Sequence, residues 1–215
     1  MTFSIVARDP ETGELGIATA TAGPAVGALV PHGRPGVGAI ATQAQTNPYL
    51  AYDGLDLLAQ GDAHAALAGA LSRDPSADLR QVIIVDAAGQ SAGWTGQQCQ
   101  GIAGHRTAAN YAVAGNLLAS ADVLDAMMTA FEQAGGRPLS DRLLASLVAG
   151  AALGGDSRGI GSAAIKVFHR ETYAALDLRV DWSEAAIRAL EQLHATVLEG
   201  EYAAFFRQVP KRWGR

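Results

Sequence analysis

The feature that most constrains this chain is glycine and alanine set inside apolar, strand-like runs, as in Gly36-Val37-Gly38-Ala39-Ile40-Ala41. Glycine in a strand interior brings no side chain to pack, so it belongs where another backbone or a ligand comes close. Strands of this kind call for cover on both faces. With 25 glycines and 49% hydrophobic residues among 215, the chain can bury one substantial core. Neither a Ser/Pro-rich linker, nor a charge block, nor a fixed-period repeat divides it. One domain over residues 1–215 is expected.

The order of elements narrows the architecture. Phe3 to Arg8 and Leu15 to Thr21 read as strands joined by Asp9-Pro10-Glu11-Thr12-Gly13, a turn segment, which predicts an N-terminal hairpin. A strand at Val37 to Gln43 leads through Thr46-Asn47-Pro48 into helices near Tyr49 to Gln60 and Ala63 to Ser72, with Asn47 as cap and proline in the first turn. Strands return at Gln81 to Val85, Ser91 to Thr95, Gly101 to Arg106 and Tyr111 to Ala114. Helical patterns at Ala121 to Gln133 and Leu139 to Leu153 are separated by Gly135-Gly136-Arg137-Pro138. Strands at Gly161 to His169 and Tyr173 to Val180 precede a helix from Ser183 to about Leu198 and a short basic tail. Strands grouped as hairpins and helices grouped apart predict an α+β fold of antiparallel sheets. Two stacked sheets, each covered by helices, would bury the glycine-rich strands on both faces.

Charge and cysteine content remove several classes of function. The chain holds 16 basic and 21 acidic residues, so no electrostatic footprint for a phosphate backbone exists and no nucleic-acid partner is expected. Lys211-Arg212-Trp213-Gly214-Arg215 reads as a solvated tail. Cys99 is the one cysteine, which excludes an intramolecular disulfide and fits a reducing compartment. No secretory signal pattern opens the chain, and the apolar stretch Leu143 to Gly154 is too short for a bilayer, so a cytoplasmic protein without membrane contact is expected. Tyr202, Phe205, Phe206 and Trp213 offer apolar area for a homodimer.

No HExxH, CxxC pair, Walker loop or GxSxG elbow occurs. His32, His64, His105, His169 and His194 are scattered without ligand spacing, so neither a metal nor a cofactor is expected. Gly33-Arg34-Pro35-Gly36-Val37-Gly38 precedes a strand and is no dinucleotide loop. Cys99 and His105, six residues apart, could pair as a thiolate site, though a packed cysteine reads more simply.

Thr2 is different. It follows Met1 directly, and its small side chain permits methionine removal, which would leave a free amine beside a hydroxyl. The amine can take the hydroxyl proton during attack on a carbonyl, so one residue supplies nucleophile and base. An α-amino group titrates near ~7.7–8.0, whereas the amide nitrogen present before removal has no basic lone pair. Four positions offer partners. Arg34, on a Pro/Gly-bent connection, can lower a nearby amine pKa or hold an anionic group, or is a surface arginine. Asn116, in Gly115-Asn116-Leu117-Leu118, can donate to an oxyanion or cap a helix. In the turn Asp156-Ser157-Arg158-Gly159, Asp156 can hold the amine with Arg158 beside it, and Ser162 can relay a proton; an ion-paired turn is the alternative. His105 can touch substrate or occupy a sheet edge.

Together these segments resemble the domain of unknown function 1028 family, itself similar in fold to the N-terminal nucleophile (Ntn) hydrolases. The resemblance runs from Thr2-Phe3-Ser4-Ile5-Val6-Ala7 to Asp177-Leu178-Arg179-Val180. It rests on Thr12-Gly13-Glu14-Leu15-Gly16, Gly36-Val37-Gly38-Ala39, Ala41-Thr42-Gln43-Ala44, Thr46-Asn47-Pro48, Ala103-Gly104-His105-Arg106-Thr107, Gly115-Asn116-Leu117-Leu118 and Gly154-Gly155-Asp156. It implies a four-layer αββα sandwich and says little about substrate; the wider Ntn class cleaves amides through an acyl-enzyme on an N-terminal Thr, Ser or Cys, so an amidohydrolase that attacks a small amide with Thr2 is expected. A non-catalytic binding or assembly subunit with the same fold is the alternative. In the wider class a lysine activates the nucleophile one hairpin and one loop downstream; here Arg34 stands there. Thr21-Ala22 also replaces a common Ser-Lys, and Ile160-Gly161 a more polar pair before Ser162.

Overall fold

Asp9 builds the first turn with its own side chain. Its carboxylate accepts from the N–H groups of Glu11 and Thr12, both at 2.9 Å, and Gly13 takes a φ of 72° that other residues resist. The turn joins β1 (Thr2–Arg8) to β2 (Leu15–Thr21) as the predicted hairpin. Next come β3 (Pro31–Arg34), β4 (Gly38–Ala44), α1 (Tyr49–Leu58), α2 (Ala63–Leu71), β5 (Arg80–Asp86), β6 (Ser91–Thr95), β7 (Ile102–Ala108) and β8 (Tyr111–Leu118). The chain continues as α3 (Asp122–Gln133), α4 (Leu139–Ala152), β9 (Ser162–Phe168), β10 (Leu176–Val180), α5 (Ala186–Leu198) and α6 (Gly200–Gln208). The computed structural model describes residues 2–212.

Two sheets form, a six-stranded one in the order β10-β9-β2-β1-β8-β7 and a four-stranded one in the order β3-β4-β5-β6. Every pairing between these strands is antiparallel. Side chains alternate faces along a strand, and the apolar clusters follow that alternation. Phe3, Ile5 and Ala7 of β1 pack outward with Leu124 and Met127 of α3, Leu143 and Leu147 of α4, and Leu190 of α5. Val6 points the other way and meets Ala39, Ile83 and Val85 of the facing sheet. Val82 and Ile84 of β5 pack outward on Leu50, Leu55 and Leu67 of α1 and α2. The fold is α+β, a four-layer αββα sandwich.

Gly38 shows why the opening run carries glycine. A Cβ there would lie 2.7 Å from the Val85 carbonyl oxygen and run into the Leu58 side chain. The pairing of β4 with β5 and the docking of α1 both depend on its absence.

Three local expectations are corrected. Pro31–Arg34 is a short edge strand, unseen in sequence because Pro and Gly interrupt any alternation. Ser183 does not cap the C-terminal helix: its Oγ accepts from the Ala185 N–H at 3.1 Å, and α5 begins at Ala186. That helical segment also breaks in two at Gly200, whose φ is 64°. Tyr202 and Phe205 of α6 are exposed, while Met1 and Trp213 lie outside the described residues. No helix among the described residues is long and apolar enough to cross a membrane.

Candidate active site

Thr2 opens β1 near the middle of the six-stranded sheet, and its side chain shares the inward face with Ser4 and Val6. Its direct partner on β8 is Asn116, and its Oγ1 lies 3.3 Å from Thr21 Oγ1 on β2. Thr21 in turn pairs with Ser162 of β9. Opposed residues on neighbouring strands face the same way. Asn116, Thr2, Thr21 and Ser162 therefore form one polar row across four adjacent strands, and all four are buried.

The facing sheet meets this row with glutamines. Gln43 of β4 donates from Nε2 to the Thr2 carbonyl at 3.2 Å and to Gln81 Oε1 at 2.8 Å, and its Oε1 accepts from Ser4 Oγ at 2.6 Å. Gln81 Oε1 also accepts from Asn116 Nδ2 at 2.9 Å, and its own Nε2 lies within 3.0 Å of Thr95 Oγ1 and of the Gly104 and Gly115 carbonyls. These amides are fully buried, so each bond replaces water that is not there. The network fixes where the Asn116 amide points.

Asp156 closes the other side. It bridges to Leu118 beyond Asn116, and its Oδ2 accepts from the Ala22 N–H at 2.7 Å, just beyond Thr21. Since Leu118 pairs with Ile102 of β7 on its far side, Asp156 sits where β1 would continue past Thr2. Its carboxylate is fully buried, and Arg158 approaches at 3.4 Å with a half-exposed side chain.

The model of the family of unknown function DUF1028 matches residues 2–190. This chain belongs to that family. The crystal structure of protein SPO2555 from Silicibacter pomeroyi, a DUF1028 protein, is similar at 36% identity and a TM-score of 0.89, covering 97% of this chain and 94% of that one. Anbu (ancestral beta-subunit) from Yersinia bercovieri gives 12% identity and a TM-score of 0.45, covering 97% of this chain and 98% of that chain. None of the curated proteins matches.

In this DUF1028 member the expected site residues separate. Thr2, Asn116, Asp156, Arg158 and Ser162 lie at one end of the sheets. Ser162 is committed locally: its Oγ donates to the Gly23 carbonyl at 2.6 Å and accepts from the Val26 N–H at 3.1 Å, which anchors the loop after β2 and leaves no proton for a relay. Arg34 is not brought to Thr2. It pairs with Gly38 at one end of β4, whereas Gln43, which touches Thr2, lies five residues away at the other end, about 17 Å along the strand. Its guanidinium holds Asp56 at 2.7 Å on the surface. His105 reaches the site only indirectly, with Nδ1 2.9 Å from Thr95 Oγ1. Burial, and after it the Arg106 charge, lowers its pKa, so the ring is neutral near pH 7.

Gln43 and Gln81 were missed in the sequence. Their signal is alternation broken by polarity: Ala39, Ala41 and Gln43, and Gln81, Ile83 and Val85, mark one inward face whose polar members fall at the same end. A further support is Asp74, held at a pKa of about 2 chiefly by its hydrogen bond from Arg80. Arg80 Nη1 then donates to the Gln45 carbonyl at 2.7 Å, bracing the segment after β4.

Proposed function

We propose that this protein is an Ntn-type amidohydrolase in which Thr2, freed of Met1, attacks a small amide. The observation that carries the reading is the position of Thr2 at a strand start, its hydroxyl on the inward face beside the Asn116 amide. The Thr2 Oγ attacks the acyl carbon while its proton passes to the α-amine. The resulting oxyanion accepts from the second N–H of Asn116 Nδ2, the first being held by Gln81, and from a backbone N–H. The tetrahedral adduct collapses as the amine returns its proton to the leaving nitrogen, the C–N bond breaks, and a Thr2 ester remains. Water then gives a proton to the amine, attacks the ester and releases the acid, and Oγ recovers its proton.

Asp156, bridged to Leu118 just beyond Asn116, holds the freed amine by hydrogen bonding, with Arg158 offsetting the carboxylate charge so that the amine stays unprotonated and free to act as base. The test begins with intact mass of the protein from its natural host. Loss of Met1, together with an acyl adduct on Thr2 from an activated-ester probe and its absence in Thr2→Ala, is the expected result. Quantitative retention of Met1 would leave a binding or assembly subunit as the function of this fold.

A further inference from the structure

Beside Asn116 lies a cavity of about 100 Å³ enclosed by the ends of β4 and β8 and by residues 98–100. Four carboxamide-bearing residues are among its lining: Gln45, Gln98 and Gln100, which are exposed, and Asn116, which is buried. Ala44, Leu79, Leu117 and Cys99 complete the wall, which holds no carboxylate, ammonium or guanidinium group. Burial pushes the Cys99 thiol up, so it too is neutral at physiological pH.

The walls are held in unusual backbone. Ala44 and Leu117, with φ of 70° and 50°, are two of the four non-glycine residues in the left-handed region among the described residues. Such residues persist where their surroundings hold them. Here the holding bonds are the Gln45 N–H to the Leu79 carbonyl at 3.2 Å and the Leu117 N–H to the Gln100 carbonyl at 2.8 Å.

We infer, resting on the reading of Thr2 as nucleophile, that this cavity receives the acyl end of the substrate, and that the acyl group is short and ends in an uncharged carboxamide. A cavity of about 100 Å³ has room for a few waters, or for a carboxamide on a short carbon chain in their place. A carboxylate or ammonium would leave water without meeting an opposite charge. An apolar chain would strip the lining amides of partners. A carboxamide offers donors and an acceptor together, and glutamine and asparagine side chains can rotate to match them.

The probe is succinamide, set against succinate and 1,4-diaminobutane, titrated into the whole protein while the side-chain NH₂ resonances of Gln45, Gln98, Gln100 and Asn116 are followed by NMR. Succinamide is expected to move them and to bind at least tenfold more tightly than either charged analogue. Gln98→Leu with Gln100→Leu, both at exposed positions, is expected to erase that preference with the rest of the spectrum unchanged. Equal or tighter binding of succinate, or unmoved amide resonances with succinamide, overturns the inference. The p-nitroanilides of succinamic and succinic acid separate the two readings. Cleavage of both without a tenfold preference in kcat/KM defeats the carboxamide cavity and leaves the hydrolase intact. Selective binding of succinamide with neither cleavage nor a Thr2 adduct defeats the hydrolase and leaves a carboxamide-selective cavity.

Discussion

The layer between the two sheets has two ends built from the same strands on different principles. At one end Val6, Ile17, Ala39, Val85 and Phe168 pack without a polar atom among their side chains. At the other, Thr2, Ser4, Thr19, Gln43, Gln81 and Asn116 occupy the same inward face, equally buried, and satisfy one another by hydrogen bonds. Apolar burial stabilises a fold at about 25 cal/mol per Å², whereas an exchanged hydrogen bond nets only ~0.5–1.5 kcal/mol. A layer selected for stability alone would be apolar throughout. The polar end is where the fold gives up stability to hold amides and hydroxyls in fixed directions, and Thr2 stands within it.

The sharpest break in that comparison is Thr2→Ala. Removing the nucleophile should cut amide hydrolysis by at least a thousandfold, roughly 4 kcal/mol in the barrier, measured as kcat/KM on a cleaved anilide. Stability should change little, because the side-chain bond lost among the described residues is the 3.3 Å contact to Thr21. In the wild type kcat/KM should rise with pH through the amine's pKa, near ~7.7–8.0 when unperturbed, since only the neutral amine is a base. A Thr2→Ala protein as active as wild type would move the chemistry elsewhere.

The apolar end should respond in the opposite sense. Ile83→Ala opens a cavity at a fully buried position between the sheets and should cost about 2–5 kcal/mol by urea denaturation. Activity per folded molecule should hold.

Gln81→Leu lies between these extremes. It leaves Asn116 Nδ2 without its acceptor and the Gly104 and Gly115 carbonyls without that donor, at a cost of about 1–3 kcal/mol. Adding Gln43→Leu should cost less than the sum of the two single changes, because the Gln43–Gln81 bond is lost only once, although the Thr2 carbonyl and Ser4 Oγ also lose a partner. Activity should stay low in the double variant, since the Asn116 amide is no longer aimed. A double variant that regains stability and activity together would make the network a packing device only.

How much of this was legible in sequence follows the physics of each signal. The hairpin of β1 and β2 was readable because Asp9 and Gly13 specify its turn locally. The layers were readable because continuous apolar strands such as Val82 to Val85 need cover on both faces, and because helical periodicity in α3 and α4 is a local pattern with one structural meaning. Thr2 and Asn116 are both candidates in the sequence, but their pairing is a register between residues 114 positions apart, set only when β8 docks on β1. Gln43 and Gln81 escaped because a glutamine in a strand reads as solvent-facing until the second sheet is in place. Arg34 misled for the converse reason. Its position along the chain matched a functional lysine, yet β3 runs along the edge of the four-stranded sheet and carries it to the far end.

Arg34→Ala should therefore have the smallest effect of all. The guanidinium is 43% exposed and its partner Asp56 71% exposed, so water and salt screen their 2.7 Å pair. Exposed pairs of this kind contribute about 0.2–1 kcal/mol, and the alanine variant should lose no more in urea denaturation. No hydrogen bond links Arg34 to the polar row, since its other contact is a 3.4 Å bond to the Leu55 carbonyl of α1. A water-exposed charge beside Gly38, about 17 Å along β4 from the Gln43 that touches Thr2, moves the amine's pKa by little, because screening acts beyond a Debye length of about 8–10 Å. The pH profile of kcat/KM should superimpose on that of the wild type. A shift of its alkaline limb in Arg34→Ala would show that the apolar end of the layer transmits charge to Thr2, and the division of the two ends into packing and chemistry would fail.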